Sequence, residues 1–310
     1  MHVLVTGGAG FIGAHSCRAL LEAGHRVTAL DDLSHGKRQA VARGADLVVL
    51  DVRSPQLVAE VDRLRPDAVL HLAAQMDVRR SVADPTYDAS VNVLGTVNVL
   101  AAARRAGAMR FVFASSGGAV YGEQQVFPAG EGHPRRPASP YGVSKLCGEE
   151  YVELASREGL CTMSLRYANV YGPGQDPMGE AGVVAIFLHK MLQGGNPVVN
   201  GDGEQTRDFV YVEDVARANL LALQSRETGA LNVGTGEETS VNELARMLAE
   251  AVGYTKPIAH GPQAAGEQRR SSVDPAAARA RLGWSPAIRL RMGLQRTAAW
   301  FRERSPANSP

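Results

Sequence analysis

Thr6-Gly7-Gly8-Ala9-Gly10-Phe11-Ile12-Gly13 decides how this chain folds, because the apolar run Val3-Leu4-Val5 precedes it and a helical pattern follows. A glycine run placed between a strand and a helix is a phosphate site. Gly7, Gly10 and Gly13 recur at every third position. The first suits a tight turn, the second lets backbone N–H groups approach a pyrophosphate, and the third lets helix and strand pack closely. About twenty residues on, Arg26-Val27-Thr28-Ala29-Leu30 reads as a second strand and ends in Asp31, with Asp32 next to it. A carboxylate there accepts hydrogen bonds from an adenine-ribose 2′-hydroxyl and repels a 2′-phosphate, so the expected cofactor is NAD and not NADP.

Outward from this unit, strands and helices alternate. Leu47-Val48-Val49-Leu50 ends in Asp51, an amphipathic stretch covers 55–64, and Ala68-Val69-Leu70-His71-Leu72 reads as a further strand. A long helix is expected over 86–106, a strand at Arg110-Phe111-Val112-Phe113-Ala114, a helix from Ser139 to Arg157 and a strand from Thr162 to Arg166. Continuous apolar strands separated by helices indicate an α/β fold: a Rossmann-type, doubly wound parallel sheet covered on both faces. Beyond residue 168 the rhythm shortens, with strands at Pro197–Val199, Phe209–Val212 and Leu231–Val233 and helices over Glu213–Leu223 and Ser240–Ala251. The reading is an NAD-binding domain over 1–168 that recovers 213–235, a smaller C-terminal α/β substrate domain from 169–212 and 236–304, and a flexible tail at 305–310.

Composition narrows the function classes. The chain has 310 residues, is 45% hydrophobic and carries a net charge of +1. No basic surplus points to nucleic acid or a membrane surface, and no apolar run approaches the roughly 18 residues of a spanning helix. The opening residues form a strand with no charged leader, which argues against export. Cys17, Cys147 and Cys161 lie far apart, with no Cys-x-x-Cys pair or histidine cluster. They read as reduced thiols of a cytoplasmic protein without a metal site.

A second constellation is Tyr141-Gly142-Val143-Ser144-Lys145. The spacing i, i+4 puts phenol and ammonium on one helix face. A cation so close is expected to lower the tyrosine pKa toward working pH and make the phenol a usable acid and base.

Thr6-Gly7-x-x-Gly10-x-x-Gly13, His71-Leu72-Ala73-Ala74, Asn92, Val120-Tyr121-Gly122, Tyr141-x-x-x-Lys145, Leu165-Arg166-Tyr167-x-Asn169-x-Tyr171-Gly172-Pro173, Arg207-Asp208-Phe209-Val210-Tyr211-Val212-x-Asp214 and Asn232-Val233-Gly234 occur in order. Over about residues 1–304 the chain resembles the extended short-chain dehydrogenase/reductases that act on nucleotide sugars, most closely the UDP-glucose (UDP-galactose) 4-epimerases. The resemblance implies that Gly7, Gly10, Phe11, Ile12, Gly13, Asp31 and Asp32 hold NAD and that Asp51 and Val52 flank adenine. Leu72, Ala73, Ala74, Gln75, Asn92 and Tyr167 would line the cofactor, and Lys145 would bind the nicotinamide ribose. Asn169, Arg207 and Tyr211 would sit near the nucleotide sugar, with Arg207 on its diphosphate. Tyr141 would be the proton-transfer residue of a C4 inversion through a 4-keto intermediate, in a homodimer joined by a four-helix contact.

Two departures stand out. Gly117 occupies the slot in which the family usually has a serine or threonine that bonds the sugar hydroxyl. Ser116 is adjacent and takes the catalytic role only if the two glycines re-aim it, since neighbouring strand side chains alternate. Where the family reads Arg-x-Gly-Asp, this chain has Ala264 and Glu267, so that either Arg269 or Arg270 replaces the phosphate contact or the two form a solvated basic turn. Ser271, five residues after Gly266, would border the sugar 2-substituent, and so small a side chain leaves room for an N-acetyl group.

Gly118 and Ala119 stand where the family's dehydratases carry Asp-Glu. With no second proton carrier, elimination is disfavoured and oxidation followed by re-reduction at one carbon remains. The alternatives are another nucleotide-sugar epimerase, a 4-ketoreductase, or a non-catalytic NAD-sensing protein on the same scaffold.

Overall fold

The computed structural model describes residues 1–179, 182–263 and 268–304. Six strands in chain order, β1 (His2–Thr6), β2 (Arg26–Asp31), β3 (Asp46–Val49), β4 (Ala68–His71), β5 (Arg110–Ser116) and β6 (Cys161–Tyr167), are joined by Gly229–Val233 in one sheet. All neighbours are parallel, and the order from one edge is Gly229–Val233, β6, β5, β4, β1, β2, β3. After β3 the chain returns across the sheet through helix Leu57–Leu64 and lays β4 beside β1. The strand order reverses there, so the connections leaving β1 and β4 run apart and open a crevice at their carboxyl ends.

The apolar runs explain the burial. Alternate side chains of a strand face opposite sides. Val3, Val5, Val27, Ala29, Leu70 and Leu165 join one core with helix Val212–Gln224 and the first helix, α1 (Phe11–Glu22). Leu4, Leu30, Val69, Phe111 and Phe113 join another, under the helices Leu57–Leu64, Gly95–Arg105 and Pro140–Arg157.

The expected helix over 86–106 is divided. It starts at Pro85 behind Asp84, whose side chain accepts from the Tyr87 N–H at 2.9 Å, widens through a π-helical turn at Ser90–Leu94, and resumes at Gly95–Arg105. Gly95 passes so close to the loop after β3 that a Cβ would lie 2.7 Å from Val52 Cγ2.

Beyond β6 the strands outside the main sheet are short. Asn169–Tyr171 pairs with Phe209–Tyr211, Val198–Asn200 with Ala259–Gly261, and Thr206–Arg207 lies between Thr239–Ser240 and Arg270–Ser271. Helices Val183–Leu192, Val241–Val252 and Leu290–Glu303 pack together around Phe187, Leu188, Leu244, Leu248 and Leu294. Val183–Leu192 has no counterpart in the sequence reading, because a segment apolar on nearly every side carries no helical stripe. Ala264, Gly266, Glu267 and the tail 305–310 lie outside the described residues. Among the described residues no helix is long and apolar enough to cross a membrane.

Candidate active site

The glycine turn is fixed by close approach of backbone to backbone. Gly7 has φ +70°, and a Cβ on it would lie 2.8 Å from the Ala73 nitrogen. On Gly13 a Cβ would meet the Gly7 carbonyl oxygen at 2.0 Å. No side chain caps the start of α1 and no acid stands in its first turn. Its free N–H groups and positive dipole end therefore face the crevice. A groove of about 1140 Å³, open to solvent, runs over this helix end. It is lined by Gly7, Gly10, Phe11, Ile12, Gly13, Asp31, Asp32, Asp51, Val52, Leu72, Ala73, Ala74, Gln75 and Tyr167, and reaches Tyr141 and Lys145. A groove lined by an uncapped helix start and by the carboxylates of Asp31, Asp32 and Asp51 fits a dinucleotide such as NAD.

Asp31 has a second task. Its carboxylate accepts from the Ala9 N–H and the Leu33 N–H, each at 2.9 Å, so it braces the glycine loop while still facing the groove. Burial pushes its pKa up.

Asn92 differs from expectation. It does not line the groove but sits behind it, fully buried, where Oδ1 accepts from the Gln75 N–H (2.9 Å) and Nδ2 donates to the Gln75 carbonyl (2.8 Å). The π-helical turn rotates it inward, so it shapes the cofactor wall through Gln75. The sequence reading missed Arg80 and Tyr87, which line the groove with the Arg80 guanidinium 4.2 Å from the Tyr87 ring centroid. The signal was present in Asp77 and Asp84, whose side chains accept N–H bonds at the starts of Val78–Ala83 and Pro85–Ala89 and so divide the segment into two short helices that pack on each other.

Helix Pro140–Arg157 begins behind Ser139, which accepts from the Gly142 N–H at 3.1 Å, and presents Tyr141 and Lys145 to the groove. Ser116 ends β5 and caps the one-turn helix Gly117–Val120, accepting from the Ala119 N–H at 3.3 Å. Its hydroxyl also faces the Tyr141 phenol and draws that group's pKa down, against the larger effect of burial. The turn that follows at once aims Ser116 at Tyr141. Gly117 is confined instead, since a Cβ would lie 2.6 Å from Val273 Cγ1.

The expected pKa effect on Tyr141 is reversed. Burial, and then the carboxylate of Asp88, push the phenol up. Lys145 Nζ is 5.9 Å from the Tyr141 ring centroid and donates to the Ala114 carbonyl at 2.9 Å. Burial pulls Lys145 down to about 8, against the pull of Asp88 and Glu149. Desolvation thus outweighs the attraction between cation and phenolate.

None of the five residues expected at the sugar lines this groove. Asn169 lies on the strand Asn169–Tyr171, its backbone N–H donating to the Asp208 carbonyl. Arg207 is half-buried beside Ser271 in strand register, with Nη1 donating to the Thr206 carbonyl at 2.7 Å. Tyr211 belongs to the C-terminal core, edge-on to Tyr171 at 5.6 Å and in contact with Arg296. Arg270 stacks 3.8 Å over the Phe127 ring and pairs with Glu238 at 2.5 Å, while Arg269 pairs with Asp202 at 2.8 Å, so carboxylates of the chain itself engage both expected phosphate ligands. Ser271 is buried, its Oγ 3.4 Å from where a Cβ on Gly118 would sit, which places it against the Ser116–Tyr121 turn.

Sheet order, glycine turn and the Ser116–Tyr141–Lys145 cluster define a dinucleotide-dependent enzyme of the short-chain dehydrogenase/reductase kind. The profile of the NAD dependent epimerase/dehydratase family matches residues 3–234. A UDP-glucose 4-epimerase of Mycolicibacterium smegmatis is 44% identical over 98% of this chain and all of its own. The structure of the Thermotoga maritima UDP-glucose 4-epimerase with UDP-glucose superposes with a TM-score of 0.95 at 44% identity, covering 98% of this chain and 99% of that one. That of the Thermus thermophilus UDP-glucose 4-epimerase with NAD does so at 0.93 and 44%, covering 97% and 99%. The chain belongs to the NAD dependent epimerase/dehydratase family.

Proposed function

We infer that this protein epimerises a UDP-hexose at C4, interconverting UDP-glucose and UDP-galactose. The observation that carries this reading is a proton-transfer cluster with a single phenol at the end of a dinucleotide groove, flanked by Gly118 and Ala119 where a second acid or base would be needed for elimination. Bound NAD would supply reversible hydride exchange at the sugar C4.

The chain's own groups do the rest. Gly7, Gly10 and Gly13 with the start of α1 would hold the pyrophosphate, and Asp31 with Asp32 would hold the adenine ribose. Tyr141 takes and returns the C4 hydroxyl proton, and Ser116 orients that hydroxyl through the phenol it faces. Lys145 is the cation that favours the phenolate. Arg207 and Asn169 lie on the substrate side, with Ser271 near the sugar 2-substituent. Purified protein given UDP-glucose without added reductant should form UDP-galactose by NMR, and failure to form it while NAD is bound would defeat the assignment.

The substrate part would comprise 169–212 and 236–304. A homodimer is supported by Leu94, Val143, Tyr151 and Leu154, large apolar side chains left exposed on adjoining helices. The three cysteines are free thiols, which fits the cytoplasm.

A further inference from the structure

Asp88 is fully buried directly beneath the catalytic helix. Its carboxylate accepts from Ser144 Oγ at 2.6 Å, Gln75 Nε2 at 2.9 Å and Asn92 Nδ2 at 3.0 Å. All three donors are neutral. Among the described residues no ion pair includes Asp88. Ser144 is the neighbour of Lys145 and shares the helix face that carries Tyr141 and Lys145, since i, i+3 and i+4 lie together.

Lys145 has the converse problem. Among the described residues its one hydrogen bond goes to the Ala114 carbonyl, and it too is buried. The groups that face it can be named from each element. On its own helix are Tyr141 and Glu149, from β5 come the Ala114 carbonyl and the Phe113 ring, from β4 comes His71, and from the helix Pro85–Ala89 comes Asp88. Glu149 is already neutralised by Arg166, which reaches it with Nε at 2.8 Å and Nη2 at 2.6 Å. His71 is buried and neutral, bonded to Thr6 Oγ1 and Thr96 Oγ1. A buried ion without a counter-charge is strongly disfavoured, and neutral donors only partly replace water. Of the two carboxylates that act on Lys145, Asp88 is therefore the one not already paired with another cation.

We propose that Asp88 is the counter-charge of the catalytic helix, a positioning residue that keeps Lys145 an ammonium ion in the working enzyme. It acts through Lys145 and Ser144 and touches neither substrate nor cofactor. The same charge raises the Tyr141 phenol. Asp88 thus works against phenolate while it secures the cation, and the balance sets the pH at which the pair functions. The inference rests on the catalytic role given above to Tyr141 and Lys145.

Its test needs no turnover. Lys145 is one of four lysines in the chain. In cofactor-free protein carrying 15N-lysine, the Nζ resonance lost in Lys145→Met can be titrated, with a midpoint expected at about 8. In Asp88→Asn, which retains shape and hydrogen-bonding capacity, the midpoint should fall by about one unit or more, a tenfold or larger gain in acid dissociation. In Asp88→Glu, which retains the charge, it should stay within about half a unit of wild type. An unchanged midpoint in a folded Asp88→Asn protein overturns the proposal. Should that variant not fold, Asp88→Glu decides alone, and a drop of a full unit there overturns it equally. The alkaline limb of the kcat profile should move the same way. A protein that shows the Lys145 shift but leaves UDP-glucose unchanged breaks the substrate assignment and spares this one.

Discussion

At Gly13 one added carbon would meet a backbone oxygen at 2.0 Å, whereas at Arg270 a whole exposed side chain lies on Phe127 and pairs with Glu238 at the rim. The groove over the sheet is shaped by main chain against main chain. The short-stranded region beyond residue 168 is held by side chains that chose partners within the chain, including Arg269 with Asp202 and Arg270 with Glu238. Backbone contacts tolerate almost no change, and exchangeable ion pairs tolerate a good deal.

The sharpest way to break this contrast is Gly13→Ala. Displacing the glycine turn should cost about 3 kcal/mol or more and remove NAD from the purified protein. Calorimetry and acid release of cofactor would check it, and a wild-type melting temperature with full NAD would refute backbone recognition.

A second effect belongs to the sheet. Burial, with a smaller part from Lys145, lowers His71 to about 3 from an ordinary 6.5. Its folded value lies below its unfolded one, so its contribution is complete above pH 6.5 and is lost as pH falls from 6.5 toward 3. The loss should be on the order of 4 kcal/mol at the bottom of that window. Denaturant titrations of His71→Gln should show a flatter acid limb than wild type.

Tyr141→Phe should lower kcat by about 100-fold or more with little change in nucleotide-sugar affinity. Near-normal turnover would remove the phenol from the mechanism. Ser271→Tyr comes next, and should depress turnover of N-acetyl hexoses by about tenfold more than that of plain hexoses. Equal loss on both would separate Ser271 from the sugar.

The smallest change is expected at Arg270→Ala, with KM for UDP-glucose within about threefold of wild type, since a half-exposed rim pair contributes little. A tenfold rise in KM would mean that Arg270 leaves Glu238 for the diphosphate. The substrate side would then be assembled by ligand.

Several features were legible in the residues because they are local. Three glycines at fixed spacing, an acid at the end of the second strand, and Tyr-x-x-x-Lys behind a serine cap each specify their geometry within a few positions, and β1, β2 and the helix Pro140–Arg157 lie where those signals put them. Continuous apolar strands implied the buried parallel sheet for the same reason. What lay beyond reach depends on contacts between residues far apart in the chain. Ser116 is aimed at Tyr141 by a turn whose glycine is confined by Val273, more than 150 residues later. Asn92 is rotated behind Gln75 by a π-helical turn, Arg269 and Arg270 are taken up by Asp202 and Glu238, and Tyr141 is raised by burial that spacing does not reveal. The sequence by itself determined where the glycine turn, the acid after the second strand and the Tyr141–Lys145 pair stand, because backbone conformation and helical spacing are short-range. Only the tertiary structure decided which charges are desolvated and which are paired, because those depend on what the fold packs against them.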